Sequence, residues 1–224
     1  MKKSTLAGRV LAELERLYPR AVPHLEHNSP WELLVATVLS AQCTDARVNQ
    51  VTPGLFRRLP SPLAFAEADQ EELEELIRST GFYRNKARHL IAAARKLVEN
   101  FNGEVPRNMA DLLTLDGVAR KTANIVLSGA FGLNEGLAVD THVARISARL
   151  GLTSSSSPQA IERDLLPLFP RPEWGRVNHR MVSFGRDICK ARSPRCRICP
   201  LADICPGREK AEGAPSRRLA GAGS

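Results

Sequence analysis

Four of the five cysteines fall within seventeen residues, as Cys189, Cys196, Cys199 and Cys205, a C-x6-C-x2-C-x5-C pattern near the end of the 224-residue chain. Four thiols this close in sequence can surround one metal centre. An odd cysteine total and the crowding into one loop favour a metal centre over a disulfide framework. Spacing alone leaves zinc and an iron–sulfur cluster both open, although zinc ribbons usually pair two C-x2-C knuckles and only one is present. Cys43 stands apart in an apolar helix end and is expected to be buried and inert.

Upstream of that loop almost every segment reads as helix, and no strand alternation appears. Leu6, Val10, Leu11, Leu14 and Leu17 recur at helical spacing. Ser29-Pro30-Trp31-Glu32 has the form of a capping box with proline at the first helical position, opening a helix to about Ala41. Further helices are expected from about Asp45 to near Pro60, from Ser61-Pro62, from Asp69, and from Asn85 to about Asn100. A short one over Met109–Thr114 precedes helices over 118–131 and 141–150, and Ser157-Pro158 starts another. The Gly-, Ala- and Ser-rich stretch 207–224 is expected to be a disordered tail. Helix dominance with short connections predicts an all-α fold.

Thirty-two Lys and Arg against twenty-four Asp and Glu leave a net charge of +8, which suits a polyanionic partner such as nucleic acid. The segment after Met1-Lys2-Lys3 is too charged for a secretory signal, and the apolar run from Leu33 to Leu39 is too short to cross a bilayer. The chain is therefore expected to be soluble and cytoplasmic, nucleoid-associated in a prokaryote.

Leu115-Asp116-Gly117-Val118-Ala119-Arg120-Lys121 places a glycine turn ahead of a helix whose first turn carries two basic residues. Backbone amides at such a turn, with the helix dipole behind them, suit a phosphate oxygen. An ordinary helix–helix turn with solvated basic residues fits the same local sequence. Nineteen residues after Lys121 comes Asp140, heading the helix that starts at Thr141, where aspartate is a favoured cap. A positive helix end, the neighbouring Arg120 and partial burial would favour a neutral Lys121 amine able to act as a nucleophile.

The run Leu115–Ala130 with Val139-Asp140-Thr141-His142 resembles the helix–hairpin–helix plus Gly/Pro-Asp signature of DNA base-excision glycosylases, most nearly the endonuclease III family. Asn28–Leu34, Leu39-Ser40-Ala41-Gln42, Gly81-Phe82-Tyr83 and the cysteine loop fall where that family has them. The chain departs from it at Asp116, where proline is usual, and at Ala119, where a second hairpin glycine is usual.

The resemblance implies a bifunctional enzyme acting on double-stranded DNA as a monomer. It would remove oxidised pyrimidines and cleave the abasic site by β-elimination through a Lys121 Schiff base, with Asp140 assisting. Lysine at position 121 argues against the monofunctional relatives. The cysteines would hold a [4Fe–4S] cluster, with Lys190, Arg192 and Arg195 on its loop facing phosphates. Gly117, Ala119 and Arg120 would contact the backbone, and Gln42 and Phe82 would fill the space left by an extruded nucleotide. Asp45 and His142 lie in matching motifs. By the same resemblance a six-helix barrel would span 23–133, and residues 1–22 with 134–206 would form the cluster domain. Alternatives are an abasic-site lyase with weak glycosylase activity and a non-catalytic helix–hairpin–helix DNA-binding protein.

Overall fold

The computed structural model describes residues 2–20 and 22–208, and every regular element among them is helical. Eleven α-helices follow in order among these residues: α1 (Lys3–Leu17), α2 (Pro30–Leu39), α3 (Asp45–Arg58), α4 (Pro62–Ala66), α5 (Gln70–Ile77), α6 (Tyr83–Phe101), α7 (Met109–Leu112), α8 (Arg120–Phe131), α9 (Thr141–Leu150), α10 (Pro158–Leu165) and α11 (Trp174–Asp187). Short 3-10 turns occupy Arg78–Thr80, Arg171–Glu173 and Cys196–Ile198. No helix among the described residues is long and apolar enough to cross a membrane. The tail expected over 207–224 lies, from residue 209 on, outside the described residues.

Caps written in the sequence set most starts. Ser29, Thr44, Ser61, Asp69, Asn108, Asp140 and Ser157 each accept a first-turn backbone N–H through their side chains. The box at Ser29 closes differently from its usual form: Glu32 Oε2 accepts from the Asn28 N–H at 2.7 Å, one residue ahead of the cap.

One unit comprises residues 22–138 and 171–179. Its centre is α2, eight of whose ten residues are buried, as a helix enclosed on all sides requires. It packs on α8, α3 and α6, while α6 also covers α4 and α5. Trp31 meets Phe65 edge to face with ring centroids 5.1 Å apart. Gly129 lets α8 approach closely, since a Cβ there would stand 2.8 Å from Leu33 Cδ2.

The other unit comprises residues 2–20, 139–170 and 180–208. Leu6, Val10 and Leu14 of α1, Val143, Ile146 and Leu150 of α9, Ile161 and Leu165 of α10, and Met181 and Phe184 of α11 are among its buried residues.

Helix α11 carries no strong start signal and has no counterpart among the helices expected from the sequence; it holds two glycines, Gly175 and Gly185. Both glycines serve close approach. A Cβ on Gly175 would meet Ser128 at 2.6 Å, and one on Gly185 would collide with the ring of His142. Residues 171–179 group with 22–138 rather than with the cysteine-bearing segment, because they are tied to the chain at 134–138. Arg171 Nε donates to the Asn134 carbonyl at 2.9 Å, Gly175 N–H to Asn134 Oδ1 at 3.0 Å, and Asn178 Nδ2 to the Ala138 carbonyl at 2.7 Å.

Candidate nucleic-acid interface and metal centre

The Val118 N–H donates to the Leu115 carbonyl at 3.2 Å, closing a four-residue turn whose third residue, Gly117, has φ +74°. That position needs glycine, and also for space, since a Cβ would stand 2.9 Å from His89 Cβ. Lys96 Nζ donates to the Thr114 carbonyl at 2.7 Å and ties the turn to α6. Ala119 is extended, with φ −90° and ψ 168°, so alanine carries no backbone penalty at this position. It also explains why α8 begins at Arg120 rather than at 118. Ala119 caps nothing with its side chain, which leaves the N–H groups of the first turn of α8 without that partner. Asp116, Arg120 and Lys121 are exposed around this point. The partial burial expected of Lys121 is absent, because the second residue of α8 points away from the α2–α8 contact.

Gln42 and Phe82 belong to the same unit and share an unusual backbone. Both lie in the left-handed region, with φ +54° and +49°. Phe82 is 62% exposed, a large apolar side chain with no core role. It stands at the N-cap of α6, which begins two residues earlier than its periodicity suggests. Asp45 opens α3 behind the Thr44 cap and lies partly buried, close enough to the buried His179 to act on it electrostatically. Cys43 is partly buried against the core of this unit, less enclosed than expected.

Asp140 and His142 lie in the other unit. Asp140 Oδ1 accepts from the N–H groups of His142 and Val143 at 2.9 and 2.8 Å, so the carboxylate is fixed as the cap of α9. Arg145 Nη2 lies 3.1 Å from His142 Nδ1. A guanidinium only donates, so Nδ1 is the acceptor and the ring proton sits on Nε2. With Gly185 beneath it, His142 is a packed and oriented ring.

All four clustered cysteines line one cavity, together with Arg149, Leu150, Phe184, Ile188 and Ala202. Arg149 Nη1 donates to Cys189 Sγ at 3.4 Å and to the Lys190 carbonyl at 2.7 Å, and Nη2 donates to the Ala191 carbonyl at 3.0 Å. Arg145 holds the Cys189 carbonyl from Nε and Nη2. Neither arginine stood out in the sequence. The signal was available as their i, i+4 spacing, which puts both on one face of α9.

Burial, with the charge of the other cysteines, pushes the Cys199 and Cys205 thiols up. Four cysteine side chains around one cavity are a donor set that fits an iron–sulfur cluster. Among the described residues, no group of three His, Cys, Asp or Glu side chains is placed to hold a single ion, and the four thiols all line one cavity. Arg192 and Arg195 are exposed on this loop, and Lys190 is half-buried.

The model for HhH-GPD superfamily base excision DNA repair proteins matches residues 35–171, and that for the iron–sulfur binding domain of endonuclease III matches residues 189–205. Endonuclease III of Synechocystis sp. is 54% identical over 207 residues, covering 92% of this chain and 94% of that one. Endonuclease III of Bacillus subtilis is 44% identical over 201 residues, covering 89% and 91%. The solved structure of a trapped endonuclease III–DNA covalent intermediate superposes with a TM-score of 0.89 at 46% identity, covering 94% of this chain and 98% of that chain. A thermostable thymine-DNA glycosylase shares the fold, with a TM-score of 0.83 at 22% identity. With the hairpin, the cysteine-lined cavity and matches running along nearly its whole length, the chain belongs to the endonuclease III family of base excision DNA repair proteins.

Proposed function

We propose that this protein removes oxidised pyrimidines from duplex DNA and cleaves the resulting abasic site, with Lys121 as nucleophile. The observation that carries the reading is the placement of Lys121, exposed in the first turn of α8 directly behind the Gly117 turn and a helix start with no side-chain cap. A phosphate held by those amides would bring a sugar to the amine. A structure of a related endonuclease III, trapped covalently on DNA, supports the same chemistry here.

In this mechanism the neutral amine of Lys121 bonds to the sugar C1′ as the glycosidic bond breaks and the base leaves with a proton. Ring opening gives an imine. Loss of a C2′ proton then expels the 3′ phosphate. Asp140 would stabilise positive charge developing on the sugar while keeping its role as the α9 cap. Gln42 and Phe82 would fill the stack after the nucleotide leaves it. Cys189, Cys196, Cys199 and Cys205 would hold the [4Fe–4S] cluster, which pins the loop carrying Lys190, Arg192 and Arg195 for phosphate contact.

Borohydride reduction in the presence of abasic duplex tests the assignment. The wild type should form a covalent protein–DNA adduct and Lys121→Ala should form none. An adduct that survives in the variant would remove Lys121 as nucleophile, and no adduct with the wild type would favour a non-catalytic DNA-binding protein. Rates on thymine-glycol duplex against plain abasic duplex separate a full glycosylase from a lyase with weak base removal.

A further inference from the structure

Lys86 is a charged residue at only 5% exposure, one turn into α6. Its Nζ donates to two carbonyls, Leu39 and Thr80, each at 2.8 Å. Leu39 is the last residue of α2 and Thr80 the last of the preceding 3-10 turn, so both are acceptors that helix ends leave without partners. A cation suits such positions, since the helix dipoles end there. The backbone N–H of Lys86 also donates to the Phe82 carbonyl at 3.1 Å.

The two carbonyls held by Nζ stand just ahead of the two left-handed residues, Gln42 and Phe82. Such conformations are uncommon for residues with side chains and persist only where their surroundings over-determine them. One ammonium fastening the approach to both turns is that over-determination. Burying a charge for this purpose is costly, and a neutral contact would serve a simple helix end as well. Burial lowers the affinity of Lys86 for its proton, while the nearby Cys43 partly offsets this.

We propose that Lys86 is a positioning residue that sets the turns of Gln42 and Phe82 together, so that both side chains are presented to the DNA stack as one preorganised wedge. The inference rests on the wedge reading of Gln42 and Phe82 given above. Lys86 itself touches no DNA; its effect passes through the two turns it ties.

The test compares borohydride trapping on an abasic site in duplex with the same site in a single strand, where no stacked partner has to be displaced. Lys86→Met should lower the duplex-to-single-strand ratio by about tenfold, as an unstacking cost left uncompensated would. Phe82→Ala and Gln42→Ala should lower it as well, and adding Lys86→Met to that pair should change it less than about twofold, as coupled residues do. Equal losses on both substrates, or an unchanged ratio in Lys86→Met while the wedge variants lose theirs, would overturn the inference. Should Lys86→Met fail to fold, Lys86→Gln keeps a donor and should give an intermediate ratio; a wild-type ratio there would also overturn it. If Phe82→Ala and Gln42→Ala leave the ratio untouched, the wedge reading and this inference fall together, while the Lys121 adduct stands or falls on its own.

Discussion

The guanidinium of Arg149 donates to the Sγ of Cys189 across 3.4 Å and grips the carbonyls of Lys190 and Ala191 from the same side chain. A residue on α9 thus organises the cysteine loop and directs a positive charge at one of its sulfurs. Arg149→Met should accelerate loss of the cluster's visible absorption under chelator on the order of tenfold, as losing a hydrogen bond to a ligand sulfur does. It should also shift the cluster's reduction potential downward, because hydrogen bonds to the sulfurs help set it. Unchanged retention and potential would show that the arginine serves only the loop backbone.

Substitution can separate the cap that Asp140 forms on α9 from the catalytic role proposed for it. Asp140→Asn keeps an oxygen that can accept from His142 and Val143, so stability should change by less than about 0.5 kcal/mol. Base release should nevertheless fall sharply, since the charge proposed to stabilise the sugar is gone. Asp140→Ala should lose activity and about 1 kcal/mol of stability as well. Thermal melts run beside single-turnover base release distinguish the two effects.

Gly185→Ala would gain helix propensity and yet should destabilise the protein. The added Cβ meets the His142 ring and stands 2.8 Å from Arg145 Nη2. Overpacking of this kind costs about 1–3 kcal/mol, more than the roughly 1 kcal/mol that propensity returns. A raised melting temperature for this variant would contradict the close α9–α11 approach.

His179 is buried, and burial first, then the nearby charge of His24, pull it from an ordinary 6.5 down to about 4, against a smaller opposing effect of Asp45. Between those values the unfolded chain binds a proton that the native protein does not, so stability rises with pH across this window. The contribution is complete above about pH 6.5 and is lost as pH falls toward 4, to a total of about 3 kcal/mol. His179→Gln should show a shallower fall in stability over that range than the wild type. Parallel curves would place the titration elsewhere.

Asp116 sits exposed at the second position of the hairpin turn, where its charge would oppose a phosphate bound as proposed. Asp116→Asn should tighten duplex binding about two- to fivefold at low salt, with the gain fading as salt rises. A salt-independent gain would point to a backbone effect instead.

Much of the site was legible in local sequence because its signals are local. Glycine in the hairpin turn, proline and serine at helix starts, aspartate before Thr141 and the cysteine spacing each act within a few residues. The chain's departures at Asp116 and Ala119 looked like weaknesses of the hairpin. Only the extended backbone of Ala119 shows that glycine is unnecessary there. Helix α11 has no local start signal, and its two glycines make room for neighbours distant in sequence, a purpose no local pattern reveals.

The sequence by itself determined the helical class, most helix starts, the metal-binding loop and the position of Lys121 in a first turn. Those follow from periodicity, capping and spacing, which depend on neighbours along the chain. Tertiary structure decided which charges are buried and what they hold. Lys86 reaches Leu39 across 47 positions and Arg149 reaches Cys189 across 40. A lysine or arginine on a helix looks solvent-facing until the packing of other elements encloses it. The left-handed turns at Gln42 and Phe82 belong to the same class, since that backbone is unfavourable alone and exists because distant contacts hold it.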